Sequence, residues 1–185
     1  MGSIRERMCS GELYDANFNI ELISARSSCK AKCQQFNTLP YENVEERQKV
    51  LREIIAKTPL NFTIEPSFWC DYGYNIILGE NFYANHNLVI LDATPVVFGM
   101  NVFVAPNCCF TTAGHPLDVE QRNRGLEYAR PIKVGNNVWI GAGVTVLPGV
   151  TIGDNVTIGA GSIVNRDIPS NCVAAGVPCR VIREL

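Results

Sequence analysis

The chain has 185 residues, enough to bury one sizeable core with a small appendage, and its 16 Lys+Arg against 18 Asp+Glu leave a formal net charge of -2. That balance supplies no broad field for gripping a polyanion, which argues against nucleic acid as a partner. No run approaches the roughly 18 apolar residues that span a bilayer, and Arg5, Glu6 and Arg7 stand where an export signal needs an apolar stretch, so no membrane association is expected and the protein reads as cytoplasmic.

From Leu22 the apolar residues recur at Ala25, Cys29, Cys33 and Phe36, one face of a helix, with Arg26, Lys30 and Lys32 directed elsewhere. The eight cysteines include no CxxC pair, so reduced thiols serving as small apolar side chains are expected, and the Cys29, Cys33 spacing reads as packing. A second helix is expected to begin at Asn43, capped reciprocally with Glu46, to bury Val44, Val50, Leu51, Ile54 and Ile55, and to end at Thr58-Pro59. Its charged run from Glu45 to Glu53 reads as a solvated face. Residues 1–61 thus form a helical cap.

Beyond about residue 62 a period of six replaces the helical one. Val134, Ile140, Val146, Ile152, Ile158 and Val164 each stand six after the last, and Val138, Val144, Val150, Val156 and Ser162 repeat the period four positions later. Upstream the rhythm runs through Ile64 and Cys70, then Leu78, Ala84 and Ile90, then Phe98, Val104 and Phe110, with a step of eight between groups that places two extra residues at one corner. Strands this short bury nothing alone, so each must stack on its neighbours; three hexads make one triangular coil, and about five coils fill residues 62–185. Val134 should lie over Ile152 and Ile140 over Ile158, with Gly and Asn at the corners.

The rhythm breaks once, over residues 113–131, in a polar loop carrying Gly114-His115-Pro116. A long excursion from a regular solenoid is more often functional than idle, and His115 in it is a candidate general base. The other histidine, His86, sits within a coil. Two histidines cannot assemble a three-histidine zinc site within one copy of the pattern, so no metal is required. Trp139 precedes the inward Ile140 and should point outward, where bare indole calls for a ligand or a partner subunit.

Several segments are shared with one family: Cys70-Asp71-Tyr72-Gly73-Tyr74-Asn75, Gly79-Glu80-Asn81-Phe82-Tyr83-Ala84-Asn85, Gly114-His115-Pro116, the stretch from Ile132 to Gly141, and Ala174-Ala175-Gly176-Val177-Pro178-Cys179-Arg180-Val181-Ile182. Together with Gly11-Glu12-Leu13-Tyr14-Asp15 and Phe36-Asn37, they make the whole chain resemble the maltose and galactoside O-acetyltransferases of the hexapeptide-repeat class. The resemblance implies a mainly β fold, a left-handed parallel β-helix with an N-terminal helical cap, assembled as a homotrimer with sites between adjacent prisms. It implies acetyl-CoA as co-substrate and a sugar hydroxyl as acceptor, with His115 as base, Asn85 beside the reacting centre and no acyl-enzyme. A different small hydroxyl or amine acceptor, and a non-catalytic solenoid scaffold, are the alternative readings.

By the same resemblance Asp71 matches an acceptor-contacting position, Asp92 in the corner insertion matches one more weakly, and an acidic family residue near the N-terminus aligns with Asn17, Asp15 competing. The pantetheine arm of the cofactor would lie beside Trp139 and the backbone of Ala142 and Ala160, with Asn165 near the nucleotide. Arg166, Arg180 and Arg183 are candidates for the cofactor phosphates, where charge-assisted bonds are strong; each is otherwise an ordinary surface arginine.

Overall fold

A computed structural model describes residues 3–185. The chain opens with a helix absent from the sequence expectations, α1 (Ile4–Ser10), held by a reciprocal capping box between Ser3 and Glu6 and stopped by Gly11 at φ 78°. α2 (Ile20–Thr38) follows, its first turn capped by Asn19, whose side chain accepts from the Leu22 amide at 3.1 Å. Leu22, Cys29, Cys33 and Phe36 form its buried stripe, as their spacing requires.

α3 (Val44–Ile54) departs from expectation in four respects. Asn43 makes no side-chain cap bond, and its backbone N–H, the donor expected for Glu46, goes instead to the Pro40 carbonyl at 3.1 Å. Val44 on the first turn is 60% exposed. The helix ends at Ile54, with Ile55 already extended, before Thr58-Pro59 is reached. Arg47, assigned to the solvated face, is buried: its guanidinium lies over the Phe36 and Tyr41 rings at 5.2 and 4.9 Å and pairs with Glu65 at 3.7 Å.

The remainder is a triangular parallel β-helix. One face stacks six parallel strands, Phe62–Ile64, Phe82–Ala84, Phe103–Val104, Trp139–Ile140, Val156–Ile158 and Cys172–Ala175, closed by the antiparallel strand Arg180–Glu184. The other faces carry five and four parallel strands, so six rungs, one more than the repeat count implied, stand on the longest face. Val134 pairs with Ile152 and Ile140 with Ile158, the register drawn from the six-residue spacing. Every marker from Ile64 to Val164 is buried.

Corner residues divide the work. Asn81, Asn87, Asn101, Asn107, Asn137, Asn155 and Asn171 take the left-handed conformation, φ between 54° and 64°, which Asn tolerates better than other side chains. Gly141, after marker Ile140, answers a different demand: a Cβ there would stand 2.6 Å from the Ala160 amide nitrogen. Coil lies on coil too closely for a side chain.

α2, α3 and the prism share one continuous core, which includes Phe36, Leu51 and Phe68. A smaller cluster gathers Met8, Tyr14, Ala16, Leu22, Tyr72, Ala93 and Ala129, joining the N-terminal segment to the long excursion. That excursion, expected as a loop, is a hairpin: Ala113–Gly114 pairs antiparallel with Leu126–Ala129, and α4 (Val119–Asn123), capped by Asp118, fills the connection. No helix among the described residues is long and apolar enough to cross a membrane.

Candidate active site

His115 leaves the hairpin just after its paired strand, and its ring is oriented from both sides. Nδ1 lies 3.1 Å from the Leu126 carbonyl oxygen. A carbonyl only accepts, so Nδ1 is the donor in this contact, and in the neutral imidazole the lone pair then lies on Nε2. That nitrogen lies 3.7 Å from Glu127 Oε1, and the imidazole is 49% exposed. Glu127 is held in turn by the Tyr14 hydroxyl, which donates to its Oε2 at 2.9 Å. Burial first, and the Glu127 charge second, raise the Tyr14 phenol far above its ordinary value, so it remains a donor.

Tyr14 reaches Glu127 because the two-residue strand Tyr14–Asp15 pairs antiparallel with the hairpin, Tyr14 opposite Glu127 and Asp15 opposite Leu126. Glu127 is not marked by any motif in the sequence. Only its place on a strand beside Gly125 could have marked it, and that pairing spans more than a hundred residues. Asn17 lies against the same hairpin, its Cβ 2.9 Å from where a Gly125 Cβ would stand. Asp15, its competitor, accepts the Phe18 amide at 2.8 Å through Oδ1.

Asp71 is partly buried and pairs with Lys30 at 3.4 Å. Asp92 differs from its expected role. It is fully buried and accepts the backbone amides of Asp71, Tyr72 and Asn75 at 3.1, 2.9 and 3.3 Å. Burial pushes its carboxyl up to about 7, against the lowering effect of those donors. With no exposed surface it cannot receive an acceptor hydroxyl; it shapes the turn that carries Asp71.

A second group occupies the six-stranded face. Tyr83, Phe103 and Trp139 pair in register as consecutive outward residues, and with Asn85, Val104 and Ala105 they line a groove of about 430 Å³. Trp139 is 58% and Phe103 51% exposed, which makes this an apolar surface awaiting cover. Tyr83 and Phe103 were not singled out from sequence, although they precede markers Ala84 and Val104 as Trp139 precedes Ile140. Asn85 accepts the His86 amide at 2.7 Å through Oδ1, which leaves its Nδ2 donor uncommitted among the described residues.

Ala142 and Ala160 are exposed one coil apart at the next corner. The Ala142 carbonyl accepts from Gly161 at 2.8 Å, while neither alanine amide has a backbone partner among the described residues. Arg180 Nη1 donates to Asn165 Oδ1 at 3.3 Å, which joins those two candidates. Arg183 stands opposite Val173 at the end of the Trp139-bearing face, and Arg166 is exposed beside Asn165. Within one chain no hydrogen bond joins His115 to Asn85, and His115 does not line the groove at Asn85.

A capped hexapeptide β-helix carrying an oriented hairpin histidine and an aromatic groove defines an acyltransferase-type architecture. The maltose acetyltransferase hexapeptide capping motif matches residues 7–59, and the bacterial transferase hexapeptide repeat matches residues 131–166. The galactoside O-acetyltransferase of Escherichia coli is 48% identical over 97% of this chain and 88% of its own length. The crystal structure of a maltose O-acetyltransferase from Clostridium difficile superposes with a TM-score of 0.96 at 46% identity, covering 100% of this chain and 98% of that one. A galactoside acetyltransferase in complex with coenzyme A gives 0.95 at 47% identity, covering 100% and 92%. The chain belongs to the maltose and galactoside acetyltransferase family of hexapeptide-repeat enzymes.

Proposed function

We propose that this enzyme transfers the acetyl group of acetyl-CoA directly to a hydroxyl of a small sugar, with His115 as general base. The observation that carries this reading is the contact of His115 Nδ1 with the Leu126 carbonyl at 3.1 Å: with Nδ1 as donor, the neutral ring has Nε2 free to take a proton. As Nε2 removes the hydroxyl proton, the oxygen bonds to the thioester carbonyl carbon and charge develops on the carbonyl oxygen, where the free amide of Asn85 can donate. The C–S bond then breaks and the CoA thiolate takes the proton back from Nε2. No acyl-enzyme forms. Glu127 stabilises the transient imidazolium.

Asp71 and Asn17, or Asp15 in its place, are the acceptor contacts, and Asp92 supports the Asp71 turn by accepting its amide. On the cofactor side Trp139 covers the pantetheine arm, the amides of Ala142 and Ala160 bond along it, and Arg166, Arg180 and Arg183 meet the phosphates with Asn165 near the nucleotide. Because His115 and Asn85 are not joined within one chain, the complete site lies between copies of a homotrimer. Phe18, Ile20 and Leu117, exposed at 68%, 82% and 94% on and near the hairpin segments, favour such a partner.

Mixing a His115→Ala chain with an Asn85→Ala chain, each nearly inactive alone, tests the reading once subunit exchange is demonstrated. Interfacial sites regain part of the activity, since some then contain both intact residues. Exchange without recovery, or a fully active monomer, would contradict it. A panel of sugar, other hydroxyl and amine acceptors, followed by release of free CoA thiol, distinguishes the acceptor classes.

A further inference from the structure

The spacing of Cys29 and Cys33 on α2 reads as packing, yet the structure directs both side chains onto a third cysteine. Cys70, at the end of the strand Phe68–Cys70 in the first coil, has its Sγ 3.4 Å from Cys29 Sγ and 3.8 Å from Cys33 Sγ. All three sulfurs lie within 4.8 Å of one another, and all three residues are buried. The arrangement is fixed by a reciprocal clamp: Asn37 of α2 donates to the Phe68 carbonyl at 3.0 Å and accepts its amide at 2.8 Å, which locks the helix to the strand that carries Cys70.

Packing explains three small apolar side chains; it does not require their sulfur atoms to converge. A thiolate bond of about 2.3 Å to a shared centre holds three sulfurs roughly 3.4 to 4.0 Å apart, from pyramidal to planar geometry. Two of the separations already lie in that range, and among the described residues no histidine or carboxylate joins the group as a fourth ligand. Zn²⁺ prefers four ligands, so a three-sulfur set favours a softer, three-coordinate centre. Access exists. A cleft of about 210 Å³ between α2, the end of α3 and the corner carrying Tyr72 and Tyr74, with Arg5, Lys32 and Glu53 also on its walls, reaches the cluster at Cys29.

We propose that Cys29, Cys33 and Cys70 form a three-thiol site for trivalent arsenic, separate from the acetyl-transfer site. Charge selects the ion. Three thiolates around Cu(I) leave two net negative charges in an apolar core, and around Zn²⁺ one, whereas around As(III) they leave none. Arsenous acid is itself neutral in water at neutral pH and small enough for the cleft. The exchange is a condensation without redox change: three S–H and three As–O bonds break, three As–S bonds form, and the hydrogens leave with the hydroxyls as three waters.

The test uses the reduced full-length protein with sodium arsenite, read by native mass spectrometry and arsenic X-ray absorption. One arsenic per chain, with three sulfur neighbours and no oxygen, is expected. Cys33→Ala and Cys70→Ala should lose that stoichiometric arsenic, and Cys109→Ser, outside the cluster, should keep it. Cys33→Val fills the core with an apolar side chain, so loss of binding by a folded Cys33→Val chain separates ligation from misfolding. Oxygen in the arsenic shell, arsenic retained by the Cys33 variants, or none on the wild-type protein overturns the site; Cu(I) or Zn²⁺ displacing arsenic at equal concentration overturns the choice of ion.

Discussion

The hairpin that carries His115 and the face that carries Trp139 are built by opposite means. On the face each residue is placed by its neighbours one coil above and below, Tyr83 to Phe103 to Trp139, so position follows from a count of six. On the hairpin, His115, Glu127 and Tyr14 meet only because an N-terminal two-residue strand crosses to residues 126–129. On the proposed reading, the repeated face is the surface for the long, extended cofactor, and the single long-range pairing is the point at which one proton is handled. If that division is right, hairpin substitutions change turnover and face substitutions change cofactor affinity.

The largest effect is expected from His115→Ala, which should lower kcat by roughly 10²–10⁴-fold, about 3–5 kcal/mol of barrier, while leaving the KM for acetyl-CoA nearly unchanged. Steady-state kinetics on the folded variant check this. A comparable rise in the cofactor KM would break the division. Next in size, Glu127→Gln removes the charge beside Nε2 but keeps an acceptor for Tyr14, and should lower kcat about tenfold, roughly 1.4 kcal/mol. Trp139→Ala, on the other side, should raise the KM for acetyl-CoA about tenfold with little change in kcat or in the acceptor KM. Equal weakening of both substrates would assign Trp139 to subunit packing instead.

The smallest effect concerns pH. Asp92 carries a carboxyl raised to about 7 in the folded chain, from an ordinary 3.8. Between those values the folded state holds more protons than the unfolded one, so this group's contribution makes stability fall as pH rises through the window and level off above it. Asp92→Asn should flatten that part of the denaturant-midpoint profile between pH 4 and 7. An unchanged slope would mean that the three amide donors, not burial, govern the carboxylate.

Legibility followed the same division. The prism could be read because inward markers such as Val134, Ile140 and Ile152 obey one local period, and Trp139 could be picked out because indole one position out of phase must face outward. Nothing local announces Glu127, an ordinary charge in a polar stretch, or Tyr14, whose burial depends on Ala129 and Tyr72 far along the chain. Arg47 misled for a related reason: helical periodicity counts a charge as solvated, but Glu65 and two aromatic rings arrive from outside α3 to receive it. The role assigned to Asp92 from its alignment position failed through burial alone, and the corner that hides it is visible only as a step of eight. Cys29 and Cys33 were legible as a buried stripe, and Cys70 as a marker; their convergence was not, because it depends on how the cap docks.

A stack of parallel strands has two raw ends, each a row of unpaired amides and carbonyls that would accept another molecule's coil as readily as its own. At one end α2 and α3 lie over the first coil. At the other the chain reverses, and Arg180–Glu184 is laid antiparallel against Cys172–Ala175, with a register shift at Val173/Ala174 and Arg183 and Glu184 at its exposed tip. A reversed, irregular and charged strand is a poor template for the next parallel rung. The five-residue strand Arg180–Glu184 therefore leaves that face without a parallel edge on which another rung could be laid.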